Sequence, residues 1–244
     1  DGEMASLLQD IAVVYQYALA GPADLAFARQ LYAASAGFWK RLRDPISRAT
    51  SDKQRAEILR TGSAEDREEA KRIYRQVMQA LKRKGLRRAY GDVLLQLGKI
   101  YQDEHSFKHA LRRFQEYEEI QHSLGLEREE AMAWKQQGEV WQEAGYRGRS
   151  VRRAVELHSR ALERLVRYHD RWSRRTVVAT LLRRGEGWLE LRMPGEAKSD
   201  FYEALSRSVA MGTRGDEFDL RRLSQTDRQR LAWAYCALAH SDEP

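Results

Sequence analysis

Apolar side chains recur at helical spacing through almost the whole chain, and β-branched runs bounded by turn residues are absent. Punctuation divides the pattern into eleven predicted helices. Residues 3–20 form the first, closed by Gly21-Pro22, and 22–42 the second. Asp44 as cap and Pro45 in the first turn open 45–61. Ser63 to Asp66 has a capping-box outline and opens 65–84, which Gly85 stops. The next segments pair as 87–104 with 106–124, 127–144 with 149–170, and 173–192 with 194–212. Residues 213–223 read as a charged loop and 224–240 as a last helix.

A longer period overlies the helical one. Ala28, Ala70, Ala110, Ala154 and Ala197 follow one another at 42, 40, 44 and 43 residues. Four residues after each stands a ring, Tyr32, Tyr74, Phe114, His158 or Phe201. A fixed period in this range marks one helix pair stacked repeatedly on itself. In the three later pairs the first helix adds a glycine followed by a ring three residues on: Gly98 and Tyr101, Gly138 and Trp141, Gly185 and Trp188. A helical glycine costs ~1 kcal/mol relative to alanine, so three in register predict a close approach of two helices. Glycine and alanine are 12 residues apart in two of these pairs and 16 in the pair at Gly138, which predicts an insertion in that turn.

The run Leu94, Leu97, Gly98, Tyr101, Ala110 and Phe114 resembles the signature of the tetratricopeptide repeat (TPR) family. So do Trp134, Gly138, Trp141, Ala154 and Ala161, then Leu181, Gly185, Trp188, Ala197, Phe201 and Ala204. The repeat length is similar to the longer-helix variety found in kinesin light chain, Leu-Gly-Asn-repeat adaptors and Tonsoku-type scaffolds. The resemblance implies an all-α, right-handed α-solenoid of about five antiparallel helix pairs with a C-terminal capping helix. On this reading residues 1–244 are a single repeat domain: degenerate repeats over 3–84, three clearer ones over 87–212, and a cap at 224–240.

Composition narrows the function. Lys and Arg exceed Asp and Glu by 43 to 36, a formal net charge of +7, and the bases are 34 Arg against 9 Lys. Asparagine is absent, which fits a GC-rich coding genome and excludes N-glycosylation. It also removes the asparagines by which longer-repeat TPR relatives grip a peptide backbone and chaperone-binding relatives clamp a carboxylate. Cys236 stands alone, so no internal disulfide forms and a reducing, intracellular compartment is expected. The longest apolar stretch, residues 11–21, is far below the ~20 residues needed to cross a bilayer. The chain opens at Asp1, which leaves a fragment or a processed protein as readings. The expected location is cytoplasmic, or an organellar matrix if a presequence has been removed.

No residue set points to catalysis. Residues 145–150 lack the spacing and lysine of a phosphate loop, and Gly185-Glu-Gly187 lies within a helix rather than after a strand. His105 and His109 lack a third ligand nearby, so no metal and no cofactor is expected. Two partner-binding regions remain. The family register places a groove at Gln96, Lys99 and Gln102, at Lys135, Gln136 and Glu139, and at Arg183 and Glu186, where glutamines and mixed charges suit a protein ligand. The second region is a basic, aromatic stretch at 145–175. It carries Tyr146, Arg147, Arg149, Arg152 and Arg153, then Arg167, Arg171, Trp172, Arg174 and Arg175. Together these predict a non-catalytic scaffold or adaptor whose partners are proteins with acidic or helical segments. The alternative is a ribonucleoprotein subunit that contacts RNA through the arginines.

Overall fold

A computed structural model describes residues 1–19 and 21–212. The predicted loop at 213–223, the capping helix at 224–240 and Cys236 lie outside the described residues. Within them the chain is all-α: ten α-helices, one π-helical turn and no strand. The helices are α1 (Gly2–Val14), continued by a π turn (Tyr15–Leu19), α2 (Pro22–Arg41), α3 (Pro45–Arg60), α4 (Ala64–Arg83) and α5 (Arg87–Asp103). They continue as α6 (Phe107–Ser123), α7 (Glu127–Gln142), α8 (Val151–Leu165), α9 (Arg171–Glu190) and α10 (Pro194–Gly212).

These bounds follow the predicted ones within a few residues, with one larger correction. The helix expected over 149–170 ends at Leu165, because Asp170 caps the next helix by accepting from the backbone N–H groups of Trp172 (3.1 Å) and Ser173 (3.0 Å). Asp44 does the same for Ile46 and Ser47 at the start of α3. Ser63 and Asp66 close a reciprocal capping box at α4, each accepting from the other's N–H at 3.1 Å.

The helix ends repeat as regularly as the starts. Arg43, Gly85, His105, Gly125 and Arg192 all have φ between 56° and 67°. The residue after each donates its N–H to the carbonyl five residues back: Asp44 to Trp39, Leu86 to Leu81, Ser106 to Tyr101, Leu126 to Gln121, and Met193 to Trp188. That is the Schellman arrangement, in which one left-handed residue lets the chain reverse and pairs a carbonyl the helix would leave open.

The chain forms two compact units, Asp1–Ile120 and Gln121–Pro244. In the first, α1 packs on α2, α2 on α3, α3 on α4 and α4 on α5. Its apolar clusters are Ala12, Ala28 and Tyr32 at one end, and a larger group from α3, α4 and α5 that includes Ala56, Tyr74, Val77, Val93 and Leu97. In the second unit α7 packs on α8, α8 on α9 and α9 on α10, around Trp134, Ala161, Leu165, Val178, Leu181 and Phe201.

The recurring glycines meet the recurring rings. A methyl group on Gly98 would clash with the Phe114 ring, one on Gly138 would lie 2.7 Å from His158 Cε1, and one on Gly185 would lie 2.5 Å from Phe201 Cε1. All five recurring alanines are fully buried. In the first pair Gln16, in the π turn, stands where glycine stands elsewhere, and it accepts a hydrogen bond from Tyr32 Oη at 2.8 Å.

Candidate protein-binding site

In the second unit α7 and α9 are the first helices of their pairs, and a side-chain bridge ties them. Gln142 Nε2 donates to the Arg183 carbonyl at 3.1 Å. The insertion predicted before Ala154 is the loop 143–150, and it braces this tie. Arg149 donates from Nε to the Gln142 carbonyl at 3.0 Å and ion-pairs with Glu190 at the end of α9. Ser150 N–H closes the loop on the Trp141 carbonyl at 3.0 Å, and the Tyr146 and Trp141 rings lie 5.4 Å apart.

The predicted groove residues of α7 and α9 form a row of mutual partners. Lys135 Nζ lies 2.5 Å from Glu139, and Gln136 Nε2 donates to the other Glu139 oxygen at 2.8 Å. Arg183 lies 3.9 Å from Glu143 and 3.6 Å from Glu186. Burial works to raise the Glu139 carboxyl, but Lys135 and then Arg183 outweigh it and hold the group well below the usual carboxylate range. The row is therefore close to neutral and rich in hydrogen-bonding groups. The α5 residues of the first unit, Gln96, Lys99 and Gln102, are half-buried, and Gln96 Oε1 has no hydrogen-bond partner.

The residues predicted along 145–175 fall in two groups. Tyr146, Arg147, Arg149, Arg152 and Arg153 lie at the start of α8, whereas Arg167, Arg171, Trp172, Arg174 and Arg175 lie past its end. The intervening helix spans roughly 20 Å. At the near end Ser150, Arg152, Arg153, Glu156, Leu157 and Arg160 line an open depression of about 470 Å³. Two of its arginines rest on tryptophans: the Arg153 guanidinium lies 4.5 Å from the centre of the Trp141 ring, and Arg160 lies 4.1 Å from that of Trp134. At the far end Arg164 and Arg167 reach Glu127 at 2.6 and 4.0 Å, and Arg128 sits 5.0 Å over the half-exposed Trp172.

Sequence reasoning missed the pairing of these arginines with α7. The signal was available: Trp134 and Trp141 are seven apart, as are Arg153 and Arg160, which suits two stripes facing across an antiparallel pair. It also missed Arg184 and the buried Asp200, joined in a fork at 2.8 and 2.6 Å, with Arg184 Nη1 on Ser159 Oγ at 3.1 Å. Among the described residues no group of three His, Cys, Asp or Glu is placed to hold a metal ion. No helix among them is long and apolar enough to cross a membrane.

Neither a protein-family model nor a curated protein sequence matches the chain. Solved structures do, at low identity. BtubC (BKLC) from P. vanneervenii is similar over 86% of this chain and 82% of its own, with a TM-score of 0.71 and 18% identity. A protein from Podospora anserina, described as a putative kinesin light chain with nearly identical TPR-like repeats, is similar over 88% of this chain and 99% of its own, with a TM-score of 0.64 and 16% identity. A STAND signal-transduction ATPase with a tetratricopeptide repeat sensor, from Pyrococcus horikoshii, aligns over 97% of this chain but only 36% of its own length, with a TM-score of 0.68 and 13% identity. The fold is that of TPR-like helical-repeat proteins.

Proposed function

We propose that the chain is a non-catalytic protein-interaction scaffold whose α7–α9 face holds a segment of a partner protein. The TPR-like fold supports this reading, since stacked helix pairs present extended surfaces rather than enclosed clefts. The observation that carries it is the row Lys135, Gln136, Glu139, Gln142, Arg183 and Glu186, bridged across two helices by the Gln142–Arg183 hydrogen bond. Because its charges already pair with one another, the row selects a ligand by hydrogen-bond geometry more than by net charge. Gln96, Lys99 and Gln102 are the corresponding register positions on α5, within the first unit.

The test is comparative capture with the wild-type chain and a Lys99→Glu, Lys135→Glu, Arg183→Glu variant, followed by mass spectrometry and circular dichroism. Loss of the same proteins from the variant, at unchanged helix content, supports the groove. Recovery of an unchanged set overturns it. A second reading, RNA contact at the start of α8, is favoured by the arginine-lined depression in which Arg152 is exposed. A steep fall in RNA affinity between low and moderate salt, lost on Arg152→Ala, separates it from the first reading.

A further inference from the structure

A cavity of about 310 Å³ opens at the turn between α4 and α5, wholly within the first unit. Leu81, Leu86, Tyr90 and Ile120 form its apolar wall, and the exposed Lys82 and Arg87 line it as well. Leu86 is 40% exposed. A volume at the small end of ligand cavities has room for one large side chain.

The next turn of the same kind shows what the backbone itself requires. Leu86 donates its N–H to the Leu81 carbonyl and Leu126 to the Gln121 carbonyl, across Gly85 and Gly125 at the same φ of 67°. Counted from these glycines, Lys82 matches His122, Arg87 matches Glu127 and Tyr90 matches Glu130. His122 Nδ1 lies 3.0 Å from Glu130 Oε1, so the side chains at those two positions close on each other. In the α4–α5 turn the same two positions, Lys82 and Tyr90, line the cavity instead. One backbone arrangement thus carries a closed turn once and an open one once.

Charge selects the occupant. Residues 82–90 hold Lys82, Arg83, Lys84, Arg87 and Arg88 and no acid, and all five cations are exposed. Those in the last turn of α4 suit the negative end of that helix. Arg87 and Arg88 stand in the first turn of α5, at its positive end, where α7 has Glu127, Glu129 and Glu130. Helix-end electrostatics does not ask for bases there, whereas a negatively charged ligand does. An apolar recess bordered by cations fits one large apolar side chain set among carboxylates. A flat bilayer surface would not fill the recess, and an RNA strand would leave Leu81, Leu86 and Ile120 without an apolar partner. We infer that the α4–α5 turn docks an acidic segment of another protein, with one phenylalanine or leucine seated beside Leu86 and its flanking carboxylates on Lys82 and Arg87. The inference rests on the scaffold reading but uses none of its α7 and α9 residues.

Three synthetic peptides, each labelled with fluorescein, test this. The first has one phenylalanine between two pairs of glutamates, the second has serine in place of the phenylalanine, and the third has lysines in place of the glutamates. Anisotropy is read against the full chain at low salt. The first peptide is expected to bind about tenfold more tightly than either of the others. Lys82→Glu with Arg87→Glu inverts the choice between the glutamate and lysine peptides. Leu86 is the N-cap of α5, a position that accepts serine, so Leu86→Ser removes the preference for phenylalanine at unchanged helix content. Equal affinity for the first two peptides overturns the inference, as does a preference for phenylalanine that survives Leu86→Ser. An RNA oligonucleotide that binds more tightly than the first peptide, and is lost with Lys82→Glu and Arg87→Glu, also overturns it. Lys135 and Arg183 are untouched throughout, so failure here leaves the α7–α9 reading standing.

Discussion

His158 lies against Gly138 with neither ring nitrogen hydrogen-bonded, in the place where Phe114 faces Gly98 and Phe201 faces Gly185. An imidazole has replaced a phenyl ring at a fully buried position of the repeat. Burial is the main reason its pKa falls, to about 3. Glu139 opposes the fall, while Lys135, Arg183 and Arg184 add to it.

That depression makes stability depend on acid. The folded state keeps His158 neutral, whereas the unfolded chain takes up a proton below about pH 6.5. The protein is therefore at full strength above that value, and stability is lost as pH falls toward the folded pKa. At pH 5 the loss is of the order of 2 kcal/mol. His158→Phe, which restores the ring found in the sister pairs, should remove this term. Urea unfolding at pH 7 and pH 5 checks it: the wild-type midpoint drops between the two, and the variant's drops much less.

The helical glycines separate into those that carry the fold and those that do not. Gly98→Ala and Gly185→Ala push a methyl group into a buried phenyl ring and should each destabilise by about 1–3 kcal/mol. Gly37, inside α2, has nothing within 4 Å of the place its Cβ would take. Gly37→Ala should therefore stabilise by about 0.5–1 kcal/mol through helix propensity alone. Thermal melts of the three variants check the ordering. A Gly98→Ala protein as stable as the wild type would disprove the packing role.

Much of this was legible because packing leaves its period in the sequence. Gly98, Gly138 and Gly185 announced the close approach, and the 16-residue step from Gly138 to Ala154 announced the loop 143–150. The first pairs were harder to read because Gln16 and Ile58 stand where glycine would, and a hydrogen bond to Tyr32 replaces ring-on-backbone contact in the first of them. Charged residues were the least legible. Arg149, Arg153, Arg160 and Arg184 look alike in a sequence, and only the helix opposite shows whether each meets a carboxylate, a carbonyl or an indole face. The end of α8 was overrun because residues 166–169 continue an apolar rhythm, although Asp170 carried the capping signal.

The Schellman turns offer a contrast between residue types at one backbone conformation. Arg192 has φ 60° at the end of α9, and Gly85 has φ 67° at the end of α4. A left-handed conformation costs an L-residue about 1–2 kcal/mol, which glycine avoids. Glycine also adds freedom to the unfolded chain, and this offsets part of the gain. Arg192→Gly should thus stabilise by up to about 1 kcal/mol, and Gly85→Ala should destabilise by about 1 kcal/mol. Equilibrium denaturation of the two variants measures both signs.

Arg184 and Asp200 tie α9 to α10 through two parallel hydrogen bonds, with the carboxylate almost wholly buried. Burial raises the Asp200 carboxyl, Glu203 and Glu196 add to the rise, and the facing guanidinium opposes it without cancelling it. The arrangement is therefore easier to damage by removing one partner than by removing both. Asp200→Leu leaves Arg184 only 21% exposed and without its carboxylate, an expected loss of about 3–5 kcal/mol. Arg184→Met strands the carboxylate instead, though protonation softens the effect below neutral pH. The double replacement Arg184→Met with Asp200→Leu keeps volume and removes both charges, and it should be closer to the wild type than either single variant. A double-mutant cycle by urea unfolding reads this directly. Strict additivity of the two single losses would mean that the fork contributes no coupling between α9 and α10.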